Sequence, residues 1–103
     1  IRAGIQILLR EAGIEAGTIE HFIVAGAFGT YIDIESAIRV GMFPDLPLDR
    51  FQQVGNAAGM GAVLLLLSEE TRRAAAEATG KIHYVELTTY AAFHDEFIRY
   101  MTF

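Results

Sequence analysis

The chain has 103 residues, a mass of 11.3 kDa, a net charge of −5 and no cysteine. With glycine counted and tyrosine left out, 60 of the 103 residues are apolar, against a usual ~45–50%, which excludes a disordered or highly charged tail. The acidic balance argues against nucleic acid or an anionic membrane as main partner, and the lack of Cys excludes disulfides, thiolate metal sites, a Cys nucleophile and an iron–sulfur cluster held by this chain.

Ile1, Ile5, Leu8, Leu9 and Ala12 recur at helical spacing. They predict an amphipathic helix closed by Gly13, where a left-handed residue is easiest for glycine. Ile14–Glu20 is a connector. His21–Ala25 is a short apolar run without polar alternation, as expected of a parallel strand covered on both faces. Gly26-Ala27-Phe28-Gly29 is a turn, and Asp33 caps a helix over 34–40, stopped by Gly41 and Pro44.

Met42–Asp49 is a loop holding both prolines, and 51–54 is a second strand. Asn56 caps a helix over Ala57–Leu67 that is apolar all round, a pattern that predicts burial on every side. At eleven residues, that run is far short of the ~20 needed to cross a bilayer. Ser68 caps a polar helix, Glu69–Thr79, with Glu69–Arg73 and Arg73–Glu77 as i, i+4 pairs and Gly80 as its end. Ile82–Leu87 is a third strand, and Thr89 caps a last helix carrying Tyr90, Phe93, Phe97, Tyr100 and Met101. The class is α/β, a small three-layer-like arrangement of about three short strands and four to five helices. Residues 1–103 form a single domain or fragment. The chain opens at Ile1, without a Met, directly on a helical pattern. With the apolar excess, this suggests a piece of a longer protein, whose remainder would cover part of the surface.

Val24–Thr30 is the stretch best suited to a ligand. Glycines at the carboxyl end of a strand let backbone approach a bound molecule. The same spacing also suits a tight strand–helix turn without a ligand, and it is neither GxGxxG nor a Walker A loop. In Gly55-Asn56-Ala57-Ala58-Gly59-Met60-Gly61-Ala62, two helical glycines cost ~1 kcal/mol each relative to alanine, so they need a packing reason such as close approach of another backbone. His21, His83 and His94 are too scattered for a metal. Asp33 reads as a cap, Asp45 and Asp49 as turn residues, and Ser36 and Ser68 as helix-start residues.

The runs Ile1-Arg2-Ala3-Gly4-Ile5, Ile23-Val24-Ala25-Gly26-Ala27-Phe28-Gly29-Thr30-Tyr31-Ile32-Asp33, Glu35–Gly41, Val54–Ala62, Tyr84–Leu87 and Phe93–Phe103 resemble the C-terminal ATPase region of the reductive activators of corrinoid proteins. The resemblance covers essentially the whole chain. It implies membership of the acetate-and-sugar-kinase, heat-shock chaperone and actin superfamily, whose RNase-H-like, actin-like subdomains enclose ATP and Mg²⁺. By that resemblance Gly26, Ala27, Phe28 and Gly29 belong to the adenosine segment, and Gly59–Ala62 to a connecting helix. The two phosphate segments have no counterpart in the chain, which leaves its catalytic residues unassigned. The iron–sulfur cluster of such activators is expected outside it.

The implied role is half of a nucleotide cleft in a cytoplasmic, ATP-dependent activator that returns an inactive Co(II) corrinoid to Co(I). Its partners are a corrinoid protein and the remainder of its own longer chain. The alternatives are a non-catalytic interaction module that forms a homodimer, and part of another kinase of the superfamily.

Overall fold

The computed structural model describes residues 1–101, so Thr102 and Phe103, which close the last of the resembling runs, lie outside the described residues. In chain order the elements are α1 (Arg2–Ala12), β1 (Phe22–Ala25), α2 (Ala27–Thr30), α3 (Ile34–Arg39), β2 (Phe51–Gly55), α4 (Ala57–Leu67), α5 (Glu69–Thr79) and α6 (Phe93–Arg99). Short 3₁₀ turns fall at Ala16–Thr18, Leu48–Arg50 and Leu87–Thr89. β1 and β2 form a two-stranded parallel sheet, which confirms the α/β class. The chain divides into two compact units.

The first unit comprises Ile1–Ile23, Ile32–Gln52 and the described residues from Val85 onward. α1 ends where its periodicity does: Gly13 takes φ 67° and its N–H reaches Arg10 O and Leu9 O. Ile7 is wholly buried, with Ala3 beside it. α1 packs antiparallel on α6, since the Arg2 guanidinium lies 5.4 Å from the Tyr100 ring while the Tyr90 hydroxyl donates to Glu11 at 2.6 Å. α3 begins as expected at Asp33, whose carboxylate accepts from Ser36 N at 2.8 Å. Hydrogen bonds from the Ser36 hydroxyl and then its N–H hold that carboxyl below its usual range. Gly41, at φ 79°, turns the chain so that Met42 N and Phe43 N both donate to Ala37 O. This places Phe43 against Phe22 (5.1 Å) and near Phe51 (6.0 Å), with Phe22 and Phe51 at 5.0 Å. With Ala37, Pro44 and Leu46, these rings form a small core.

The second unit comprises Val24–Tyr31 and Gln53–Tyr84. Asn56 Oδ1 accepts from Gly59 N at 3.0 Å and Ser68 Oγ from Thr71 N at 3.1 Å, so both expected caps form. Arg72 closes the other end of α4, donating to Leu65 O at 2.6 Å and to Leu66 O. On α5, Glu77 pairs with Lys81 at 3.8 Å rather than with Arg73.

Four expectations are corrected. Residues 82–86 form no strand: the sheet of the described residues holds β1 and β2 alone, this segment joins neither outer edge, and Ile82 and Tyr84 stand 73% and 77% exposed. Thr89 is not the cap of the last helix. It belongs to the 3₁₀ turn, and α6 starts at Phe93 after Ala92, which offers no side-chain cap. Burial along β1 alternates, with Phe22 and Val24 half-buried and Ile23 and Ala25 exposed, so the strand is covered on one face only. α4 has no buried residue at all, and Leu66 and Leu67 are 78% and 77% exposed. Its apolar character calls for cover that the described residues do not supply.

The aromatic stripe of α6 also holds a surprise. Phe97 is half exposed, whereas Glu96 is 4% exposed. One Glu96 oxygen accepts from Arg10 at 2.8 Å and Arg99 at 3.4 Å, and the other has no partner among the described residues. Glu96 shares a helix face with Phe93 and Tyr100, which is how a charge inside an apolar stripe comes to lie under α1.

Candidate functional site

β1 delivers the chain to Gly26, whose φ of 93° and ψ of 161° lie in a region open essentially to glycine. The Gly26 N–H donates to Gly55 O at 2.6 Å, so the end of β2 closes this corner. Gly55 itself takes φ 63°. Ala27–Thr30 then forms one helical turn, and the Thr30 hydroxyl donates back to Gly26 O at 3.4 Å.

Gly29 is the buried residue of that turn, and a Cβ there would stand 2.7 Å from Val24 Cγ1. The absence of a side chain is what lets the turn lie directly on the strand. Gln53 Nε2 donates to Gly29 O at 2.6 Å. Two groups of β2, the Gly55 carbonyl and the Gln53 amide, therefore hold the turn in place. Sequence reasoning missed Gln53; its only signal was that it is one of two adjacent glutamines, Gln52 and Gln53, in a short strand.

Gly26, Ala27, Phe28 and Gly29 thus sit together in one turn, with Gly29 turned inward and Ala27 and Phe28 outward. The outer face carries two rings, Phe28 at 79% and Tyr31 at 88% exposure. From Val24 to Tyr31 there is no carboxylate, imidazole, amine or guanidinium. The turn therefore presents backbone and rings and holds no general acid or base of ordinary strength.

The other candidates have local roles. The Asn56 carbonyl oxygen is committed to its own helix, and Gly59 is explained there too: a Cβ at this position would collide with the Asn56 side chain. That replaces the expected reason, approach of another backbone, at Gly59. Gly61 meets nothing within 4 Å, so its lack of a side chain has no cause among the described residues. Asp33 and Ser68 are caps. His21, His83 and His94 are exposed, and no group of three or more His, Cys, Asp or Glu suited to a metal occurs among the described residues. A groove of about 320 Å³ in the first unit, lined by Val40, Met42, Phe97 and Tyr100 among others, contains none of the expected site residues. No helix of the described residues is long and apolar enough to cross a membrane.

Comparison with known proteins agrees with this architecture. Residues 1–103 match the family described as the C-terminal domain of RACo, the ASKHA domain. The corrinoid activation enzyme RamQ of Eubacterium limosum is 40% identical over 70 residues, which are 68% of this chain and 12% of that enzyme. The matched part therefore spans about an eighth of the length of this curated relative. The α/β arrangement fits the actin-like fold of ASKHA domains. This chain belongs to the family of C-terminal ASKHA domains of RACo.

Proposed function

We propose that this domain contributes the adenosine side of the ATP cleft in a longer, cytoplasmic corrinoid-activating protein, and that it is not catalytically complete alone. The observation that carries the proposal is the Gly26–Gly29 turn. It combines a backbone conformation reserved for glycine, a position at the carboxyl end of a parallel strand, and an outer face free of charge. Ligands of open α/β sheets bind in that position, and an uncharged face of backbone and rings suits a base and ribose rather than phosphates. The phosphate-binding residues and the Mg²⁺ ligands come from the remainder of the longer chain, as does the iron–sulfur cluster that would pass on the electron. With ATP bound and hydrolysed, one electron reduces the partner protein's corrinoid from Co(II) to Co(I).

Gly26→Val in the full-length chain tests this. Valine cannot adopt the conformation at residue 26, and the cost of forcing such a backbone is ~1–3 kcal/mol. ATP affinity measured by calorimetry is expected to fall by at least tenfold. Unchanged affinity refutes the assignment.

A second reading rests on α4. Its exposed Leu64–Leu67 run makes it an association surface, which a homodimerising module without nucleotide would also need. The two separate cleanly, because that module dimerises with concentration and shows no response to ATP.

A further inference from the structure

The two most exposed large hydrophobic side chains among the described residues are Tyr31 (88%) and Phe28 (79%): Phe28 lies in α2 and Tyr31 caps its carboxyl end. Leu66 and Leu67 of α4 follow at 78% and 77%, with Tyr84 at 77%. Phe28 and Tyr31 stand three residues apart. At that spacing side chains share a face, with Cβ atoms about 5–6 Å apart.

The ground under them is fixed. Gly29 lies on Val24 with no room for a side chain, its carbonyl takes the Gln53 amide at 2.6 Å, and Gly26 is tied to Gly55 O at 2.6 Å. The Tyr31 N–H donates to Phe28 O at 3.2 Å, which links the two ring-bearing residues directly. With the backbone already fixed, only the two χ torsions of each ring are left to be ordered when a flat ligand settles on them, which keeps the ordering cost of binding low. The turn also offers no charge within Val24–Tyr31 that would favour an ionic group over a neutral planar one.

We infer that Phe28 and Tyr31 form an aromatic platform on which the nucleotide's base stacks. This rests on the nucleotide reading above and adds to it Tyr31, which lies outside the Gly26–Gly29 segment, and a role for the rings themselves. Base–aromatic stacking depends on the π-face alone. The platform therefore supplies affinity for the base, while the backbone at Gly26 sets how closely the ligand approaches.

The test uses the full-length chain, ATP with Mg²⁺, and calorimetry alongside thermal melting. Phe28→Ala and Tyr31→Ala are each expected to weaken ATP binding about tenfold, the usual effect of removing one base–aromatic stack. Phe28→Tyr and Tyr31→Phe, which keep a ring, are expected to stay within about threefold of the wild type, and Tm is expected to hold in all four. If both alanine variants bind ATP normally while Gly26→Val does not, the platform is refuted and the nucleotide site stands. If the alanine variants lose Tm and keep ATP affinity, protein rather than a base covers the rings. If the wild type does not bind ATP, both inferences fall together.

Discussion

Replacing Gly29 by alanine is the sharpest structural perturbation of the candidate site. The new Cβ would lie 2.7 Å from Val24 Cγ1, about 0.7 Å inside the 3.4 Å at which ordinary contact begins. Val24 is half-buried and branched at Cβ, so its methyl group cannot swing away freely. Overpacking of this kind costs ~1–3 kcal/mol. Val24→Ala removes the colliding atom and gives up two methyl groups worth ~0.8 kcal/mol each when fully buried, hence about 1 kcal/mol here. The double variant should therefore be less damaged than the sum of the singles, by ~1–2 kcal/mol.

Hydrogen exchange of the Gly26 amide reads this locally, because that N–H is the bond closing the corner to Gly55. A loss of ~2 kcal/mol makes exchange roughly 30-fold faster in Gly29→Ala. Adding Val24→Ala should restore it to within about fivefold of Val24→Ala alone. Strictly additive effects, or normal exchange in Gly29→Ala, refute the claim that the turn rests on this contact.

Gly61→Ala gains helix propensity in open space and should stabilise α4 by about 1 kcal/mol, seen as a higher Tm; a lower Tm means that the position is closely packed by residues from elsewhere in the protein. The hydrogen bond from Tyr90 to Glu11 raises the phenol pKa above 10.0, followed in effect by desolvation and the Glu11 charge. A raised folded-state pKa contributes stability that is present below pH 10 and lost as pH rises through it, so alkaline melting should show a loss that Tyr90→Phe abolishes. Glu96→Ala removes two hydrogen bonds to charged groups from a buried carboxylate and should cost ~1.5–3 kcal/mol by denaturant titration; Arg10 and Arg99 are exposed enough to turn to water, so no stranded cation adds to this. An unchanged midpoint contradicts the role given to Glu96.

What was legible in the sequence was local. Asp33, Asn56 and Ser68 announce helix starts because a cap needs only its own side chain and an amide three residues on. α4 and α5 accordingly match their expected limits at Ala57–Leu67 and Glu69–Thr79. Gly13 and Gly41 mark turns by their own backbone freedom. Long-range partners were not legible. Ile82–Leu87 has the composition of a strand, yet composition does not decide whether a segment pairs, and this one joins neither outer edge of the sheet. α4 has the composition of a buried helix, yet none of its residues is buried among the described residues. At the site, the Gly26–Gly29 turn was visible as a pattern of glycines. The Gln53 amide that fixes it comes from 24 residues further on and could not be read from that pattern.

In the proposed function this domain completes the nucleotide cleft of a corrinoid activator. The direct measurement is formation of Co(I) on a corrinoid partner protein, followed by absorbance with a low-potential chemical reductant, comparing the full-length wild type with Gly26→Val in the presence and absence of ATP. ATP-dependent Co(I) formation is expected of the wild type, and loss of that dependence of Gly26→Val. Equal, ATP-dependent Co(I) formation by both proteins would contradict the proposed function.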